Sequence, residues 1–383
     1  MGLRRTMIEL KKALQIVLDS ARLLGSERVD PVRNFGFSPL PQHGPSGRLA
    51  SAKAYAGPES LPQHDRVNVD YLRVSVTDRC NLRCIYCNPF GNNRLIEEQE
   101  ILSFEEIHRV VRLCAECGIK RVRLTGGEPL LRENIVHLVR ELAGIPGIED
   151  LSLTTNGVFL ERLAAELKDA GLRRVNISLN SVKRCCYRKM TGSDALSRVI
   201  DGIYKAIEVG LTPVRLNCVV IRDINLSQVP ALAKMSIYLP VSVRFIEYCP
   251  TDKYTGPASD GVHNSEVRKT IESRFGQLSG VMLPNASGPA VYFKIGGSAG
   301  AIGFISGRSS VFCHRCNRLR LTSDGKIMPC LYSAHYYDLK KLIRSRTSDK
   351  AIVALIRKII HEKNRYTRLT AAAGNFSMRN IGG

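Results

Sequence analysis

The sequence predicts an α/β protein, an incomplete (β/α)6 barrel of the TIM type followed by a C-terminal α+β region. Three observations carry this. Six strand-like runs (71–76, 121–125, 150–155, 174–179, 214–220 and 242–247) alternate with helical patterns at 103–117, 132–143, 159–170, 195–209 and 227–237. Such alternation implies parallel β/α units. Beyond about residue 250 the rhythm stops. Cysteines, glycines and small polar residues gather just after the strand-like runs, where barrels of this type place their chemistry.

Taken in order, residues 1–66 read as an N-terminal extension. Met7, Leu10, Leu14, Val17 and Ala21 recur at helical spacing. Glu9, Lys11, Lys12 and Asp19 interrupt any secretory hydrophobic region. Six of the seventeen prolines fall between Pro31 and Pro62, which reads as a linker. The barrel is expected over 67–260. Ser103 followed by Phe104-Glu105-Glu106 is an N-cap with acidic first-turn residues. The C-terminal region, 261–383, shows a helix at 264–275, two short strands within 290–306, an apparent strand at 318–320, helices near 336–346 and 349–362, and a tail ending Gly382-Gly383.

Composition narrows the function. No run approaches the ~18 apolar residues that span a bilayer. Twelve cysteines without a secretory signal favour a reducing compartment with metal or redox cysteines. The formal charge is +21, and residues 1–65 contribute little of it, with nine Lys/Arg against six Asp/Glu. A basic body calls for polyanionic partners. Aromatics are 6% and Trp is absent, so base-stacking platforms are scarce and a nucleic-acid module is disfavoured.

Cys80, Cys84 and Cys87 stand at C-x3-C-x2-C spacing directly after the first strand-like run. Structural zinc takes four ligands, and an iron–sulfur cube has four corners. Three cysteines suggest a cluster with one iron open; zinc with a distant fourth ligand and ordinary buried thiols are the alternatives. Cys313, Cys316 and Cys330 form a second triad at C-x2-C-x13-C. There, zinc with His314 or His335 is the rival reading. Arg318 and Arg320 follow, two apart, and suit a phosphate or carboxylate beside that metal. Cys114-x2-Cys117 lies inside a helical pattern and reads as packing, and Cys185, Cys186, Cys218 and Cys249 have no metal-like partner nearby in the sequence.

Thr125-Gly126-Gly127-Glu128-Pro129 follows the second run, Thr154-Thr155-Asn156-Gly157 the third and Ser178-Leu179-Asn180-Ser181 the fourth. Glycines let a backbone approach a ligand. A tight turn explains the glycines but not Glu128. Arg73, Arg121, Arg123, Arg215 and Arg244 alternate with apolar residues on the runs. Period two puts Arg121 and Arg123 on the same face, and Arg215 and Arg244 repeat the theme on the fifth and sixth runs. If that face is the barrel interior, it needs an anion.

The C-x3-C-x2-C and Gly-Gly-Glu-Pro motifs resemble the radical S-adenosylmethionine (SAM) superfamily. The stretches Leu72–Cys80, Arg123–Pro129, Cys313–Arg320 and Gly382-Gly383 narrow the resemblance, over 66–383, to the GTP 3′,8-cyclases of molybdenum cofactor biosynthesis, which are lyases. The resemblance implies the radical SAM fold and two [4Fe–4S] clusters. Cys80, Cys84 and Cys87 would hold the one that binds SAM. Cys313, Cys316 and Cys330 would hold the one that binds GTP. It implies a 5′-deoxyadenosyl radical that removes hydrogen from C3′ of GTP, whose ribose carbon then bonds to C8. Tyr86, Gly126, Gly127, Glu128, Ser178 and Cys249 would line the SAM pocket. Arg73, Arg123, Thr154, Arg215, Arg318, Leu319 and Arg320 would hold GTP, and Gly382-Gly383 would reach into the site. Implied partners are an electron donor and the downstream cyclic pyranopterin monophosphate synthase, with a homodimer left open and neither nucleic acid nor membrane expected. The expected location is the cytoplasm, or the mitochondrial matrix if the source is eukaryotic. Asn88, Asn180, Arg121, Arg215 and Cys249 depart from the family's usual Met, Asp, Lys, Lys and Met. The alternatives are a radical SAM enzyme acting on a peptide and a basic zinc protein that binds nucleic acid.

Overall fold

The computed structural model describes residues 68–87, 95–248, 261–283, 288–310, 313–331, 333 and 335–363. The N-terminal extension (1–66), Asn88, Cys249 and Gly382-Gly383 lie outside the described residues.

Six parallel strands form the centre of one sheet: β1 (Tyr71–Ser75), β2 (Arg121–Thr125), β3 (Asp150–Thr155), β4 (Arg174–Ser178), β5 (Val214–Val220) and β6 (Val241–Glu247). They lie side by side in chain order. Helices α1 (Phe104–Glu116), α2 (Ile135–Ala143), α3 (Leu160–Asp169), α4 (Arg184–Thr191), α5 (Leu196–Glu208), α6 (Arg222–Asn225) and α7 (Val229–Tyr238) fill the connections. The cap at Ser103 is as expected. Its Oγ accepts from Glu106 N at 3.2 Å, and Glu106 Oε2 accepts from Ser103 N at 2.8 Å, a reciprocal box. Helix α4 had no counterpart in the sequence reading. It is only eight residues long and buries Tyr187, Met190 and Thr191 alone.

The C-terminal region does not form a separate sheet. Helix α8 (Asn264–Phe275) leads to β7 (Ser279–Gly280), β8 (Val291–Lys294) and β9 (Ala301–Ile305), and β9 pairs parallel with β6. β10 (Arg318–Leu321) pairs parallel with β1 on the other side, followed by β11 (Lys326–Met328) and β12 (Tyr337–Asp338). Twelve strands result, in the order β12-β11-β10-β1-β2-β3-β4-β5-β6-β9-β8-β7. Helices α9 (Leu339–Arg344) and α10 (Asp349–Glu362) complete the described chain. Asp349 ties α10 to α1 by accepting from Arg109 Nε at 2.9 Å.

Alternation along the strands fixes the two faces. Leu72, Val74, Val122, Leu124, Leu151, Leu153, Val175, Ile177, Leu216 and Val243 face the helices, all essentially inaccessible. Tyr71, Arg73, Arg123, Ser152, Arg174, Asn176, Arg215 and Arg244 occupy the opposite, inner face and are also buried. Burying apolar side chains stabilises at about 1.5–3 kcal/mol each. The polar face has no such return, so its retention points to the site. Among the described residues, no helix is long and apolar enough to cross a membrane.

Candidate active site

β1 delivers the chain into the first cysteine loop. Gly126 and Gly127 press against that loop's backbone: a Cβ on Gly126 would sit 2.5 Å from Thr77 O, and one on Gly127 would sit 2.1 Å from Arg79 O. Gly127 N donates to Thr77 O at 2.7 Å and Glu128 N to Arg79 O at 2.7 Å. The glycines therefore permit a close approach, and its partner is the cysteine loop. Glu128 is buried. Oε1 accepts from Leu130 N at 3.0 Å and Thr155 Oγ1 at 2.7 Å; Oε2 accepts from Asn156 N at 2.6 Å. Burial pushes its carboxyl up to about 7 despite these donors. Glu128 thus positions the rim after β3, and Asn156 Nδ2 carries that link on to Asn81 Oδ1 at 2.7 Å.

The loop is also held from α4. Arg83 N donates to Thr191 O at 2.8 Å, and Ile85 N to Met190 O at 3.0 Å. Burial pushes the Cys84 thiol well up, and Cys87 and Cys80 beside it push the same way. Three mutually repelling thiolates need a cationic centre. Among the described residues, no three His, Cys, Asp or Glu side chains converge closely enough to hold a single metal ion.

The second triad enters at the other end of the barrel. β10 starts just after Cys316 and runs parallel to β1, with Tyr71 opposite Arg318 and Arg73 opposite Arg320. Asn317 lies level with the start of β1: Tyr71 N donates to Asn317 O at 3.2 Å, and Asn317 Nδ2 to Asp70 Oδ1 at 2.6 Å. The antiparallel β10–β11 hairpin brings Cys330 back to the same end. The first triad follows the C-terminal end of β1. At about 3.3 Å per residue, the five steps from Tyr71 to Val76 separate the two ends by roughly 17 Å.

Between the ends lies a belt of arginines. Register sets Arg320, Arg73 and Arg123 abreast on three neighbouring strands. Arg174, Arg215 and Arg244 continue it. Asp150 is the carboxylate at an inward strand position, and Arg174 grips it with both Nε, at 3.0 Å, and Nη2. Arg121 pairs with Asp70. Two others lean on neutral groups: Arg123 Nε donates to Ser152 Oγ at 3.2 Å, and Arg244 to Asn217 Oδ1 at 2.8 Å and Asn176 Oδ1 at 2.7 Å. Burial, then the neighbouring guanidinium groups, pull Arg73 well down and bring Arg123, Arg215, Arg244 and Arg320 down to about 10. Those at about 10 remain protonated at neutral pH. Tyr71 sits among them, with Arg123 5.3 Å from its ring centroid. Its buried hydroxyl has no hydrogen-bond partner among the described residues, nor has Arg174 Nη1. Crowded buried cations and unfilled polar atoms fit a bound polyanion.

The second triad shares that field. Burial would raise the Cys316 thiol, but Arg318, Lys363 and Arg320 bring it down to about 7. Lys363 is buried, with Nζ 3.7 Å from Cys316 Sγ.

Comparison with known proteins bears on this arrangement. The family model for the radical SAM superfamily matches residues 74–235, and that for Molybdenum Cofactor Synthesis C matches 241–369. A GTP 3′,8-cyclase of Pelotomaculum thermopropionicum is 44% identical over 82% of this chain and 98% of its own. The chain belongs to the GTP 3′,8-cyclase family. Members from Thermodesulfovibrio yellowstonii and Moorella thermoacetica, each 44% identical, cover 77% of this chain, and 92% and 91% of their own. Streptococcus suis SuiB bound to S-adenosylmethionine shares the fold at TM-score 0.53 and 15% identity, over 76% of this chain and 68% of that one. The incomplete barrel of the radical SAM fold is therefore as the sequence indicates.

Within the family frame, the structure brings Arg73, Arg123, Arg215, Arg318 and Arg320 to one face. Thr154 and Ser178 lie at inward, half-buried strand positions. Leu319 places its side chain in the apolar core on the opposite face, level with Leu72, which leaves its backbone to serve a ligand. Sequence reasoning gave no role to Arg174, Tyr71, Lys363 or Glu247. Arg174 and Tyr71 share the period-two signal that marked the other arginines. Glu247 pins the turn after β9, accepting from Asn264 N, Arg308 N and Ser309 N at 3.1, 3.0 and 2.8 Å. Cys114 is buried, and Cys117 donates its thiol to Val353 O at 3.7 Å, so this pair packs α1 against α10.

Proposed function

We propose that the chain catalyses the first step of molybdenum cofactor biosynthesis, converting GTP to (8S)-3′,8-cyclo-7,8-dihydroguanosine 5′-triphosphate. The observation that carries the reading is the buried arginine belt between two three-cysteine ends. Cys80, Cys84 and Cys87 would hold one [4Fe–4S] cluster, and Cys313, Cys316 and Cys330 a second that would bind the guanine. With SAM bound there, the first would supply the one electron that splits SAM into methionine and a carbon radical able to take hydrogen from C3′.

The chain's own groups do the rest. Arg73, Arg123, Arg215, Arg244, Arg318 and Arg320 bind the triphosphate and so orient the ribose between the two ends. The backbone of Gly126-Gly127 and the carboxylate of Glu128 hold the cysteine loop in register with the β3 rim. The buried inner face keeps water from the reacting carbons. Thr154 and Ser178 offer hydroxyls at the rim facing the first cluster. The reaction consumes electrons, which suits a reducing compartment such as the cytoplasm. An electron donor and a synthase for the product are its functional partners.

Anaerobic incubation with GTP, SAM and a strong reductant tests this. The expected products are 5′-deoxyadenosine and a cyclised nucleotide convertible to a pterin. 5′-Deoxyadenosine formation that is indifferent to GTP, and to Ala at both Arg318 and Arg320, would favour a peptide substrate. About two zinc and no sulfide per chain would overturn the cluster assignment.

A further inference from the structure

Tyr71 opens β1 on the inner face and is buried there, while Leu72 beside it enters the apolar core. Parallel pairing sets Tyr71 abreast of Arg318 on β10 and of Arg121 on β2. The Arg123 guanidinium carbon lies 5.3 Å from its ring centroid. A guanidinium has N–H donors and no acceptor. None of these three arginines can therefore take a hydrogen bond from the phenol.

The acceptors on this face are already engaged. Asp70 accepts from Arg121 and, at 2.6 Å, from Asn317 Nδ2. Asp150 accepts from Arg174 Nε at 3.0 Å and from Arg174 Nη2. Ser152 Oγ accepts from Arg123 Nε at 3.2 Å, and Asn176 Oδ1 from Arg244 Nη2 at 2.7 Å. Tyr71 Oη and Arg174 Nη1 are buried and left without a hydrogen-bond partner among the described residues. A buried polar group without a partner destabilises a fold. Because the charged neighbours of the phenol are donors, the group that completes it must bring acceptors. The non-bridging oxygens of a phosphate only accept, and their charge suits the arginines around them.

We propose that Tyr71 Oη and Arg174 Nη1 are further contacts for the triphosphate of GTP, each donating to a non-bridging phosphate oxygen. The proposal rests on the GTP reading and adds to the arginine belt a neutral donor at the N-terminal end of β1. It also gives the hydroxyl opposite effects in the two states: it weakens the free protein and tightens the complex. Tyr71→Phe isolates that hydroxyl, since the ring stays in place beside Arg123. A change at Arg174 would also strip Asp150 of its guanidinium partner, so Arg174 is not the residue to vary.

Anaerobic equilibrium dialysis of the full chain with reconstituted clusters measures GTP binding, with inorganic triphosphate as competitor. Tyr71→Phe is expected to weaken GTP binding, and separately the binding of inorganic triphosphate, by at least fivefold, as loss of a hydrogen bond to a charged group does. Denaturant titration without ligand is expected to find the variant at least as stable as wild type, because it no longer buries an unpaired hydroxyl. GTP binding weakened by less than fivefold overturns the proposal. So does competition by inorganic triphosphate that is absent in wild type or weakened by less than fivefold in the variant, since the lost contact would then lie elsewhere on the nucleotide. A fall in ligand-free stability alongside weaker binding also overturns it, because the hydroxyl would then serve the fold. Wild-type protein that binds no GTP would instead refute the GTP reading itself.

Discussion

The two cysteine triads have the same number of thiols and opposite surroundings. At the C-terminal end of β1, Cys84 sits in a half-buried loop where burial of its thiol and its sister thiols raise its pKa. At the N-terminal end of β10, Arg318, Lys363 and Arg320 overcome burial and bring Cys316 down to about 7. Ligand count alone does not distinguish the sites; the field does. No cation stands among the main influences on Cys84, whereas three bear on Cys316. An end continuous with a belt of buried arginines suits a nucleoside triphosphate.

The sharpest way to break the comparison is to remove one end at a time. Replacing Cys80, Cys84 and Cys87 with Ala should abolish 5′-deoxyadenosine formation, leaving roughly half of the ~8 iron atoms that two cubes hold. Replacing Cys313, Cys316 and Cys330 should also halve the iron while sparing SAM binding. Iron analysis and equilibrium dialysis distinguish the two. Next in size, Arg320→Ala should weaken GTP binding by about 10- to 150-fold, the loss of one charge-assisted contact worth roughly 1.5–3 kcal/mol. Arg320→Lys should recover part of it, and raised salt should narrow the gap less than for an exposed charge.

Glu128 tests the scaffold at the first end. Its carboxyl is raised from 4.5 to about 7 by burial. The folded state therefore holds a proton that the unfolded chain releases, and the resulting stability is full below pH 4.5 and lost as pH rises through about 7. Denaturant titrations of wild type and Glu128→Gln at pH 5 and 8 should differ in slope with pH by up to about 3 kcal/mol, because Gln cannot titrate. The smallest effect concerns the thiols themselves. In protein stripped of metal, iodoacetamide at pH 7 should alkylate Cys316 before Cys84, and Lys363→Met should slow the Cys316 reaction by a few-fold. Peptide mapping after timed quenching reads both.

The period-two alternation of Arg73, Arg123 and Arg215 with Leu, Val and Ile was legible in the sequence, because it depends only on the pleat. So were the six strands and most helices. The position of the second triad was not. That Arg318 lies beside Tyr71 follows from a parallel pairing between residues nearly 250 apart, and no local pattern encodes the choice of partner. For the same reason the C-terminal strands, expected as a region of their own, extend both sides of the barrel sheet. Glu128 stood out as a charge between glycine and proline, but its role depends on Thr155 and Asn156, which fold alone brings to it. Helix α4 escaped because eight polar-rich residues show too few turns for a period to emerge.

GTP binding to the chain lacking Cys80, Cys84 and Cys87 tests most directly the division of labour between the ends. Binding within about threefold of wild type there, with loss of at least tenfold on adding Arg320→Ala, is the predicted result. Loss of GTP binding on removing the first triad alone, or its survival without Arg318 and Arg320, would contradict it.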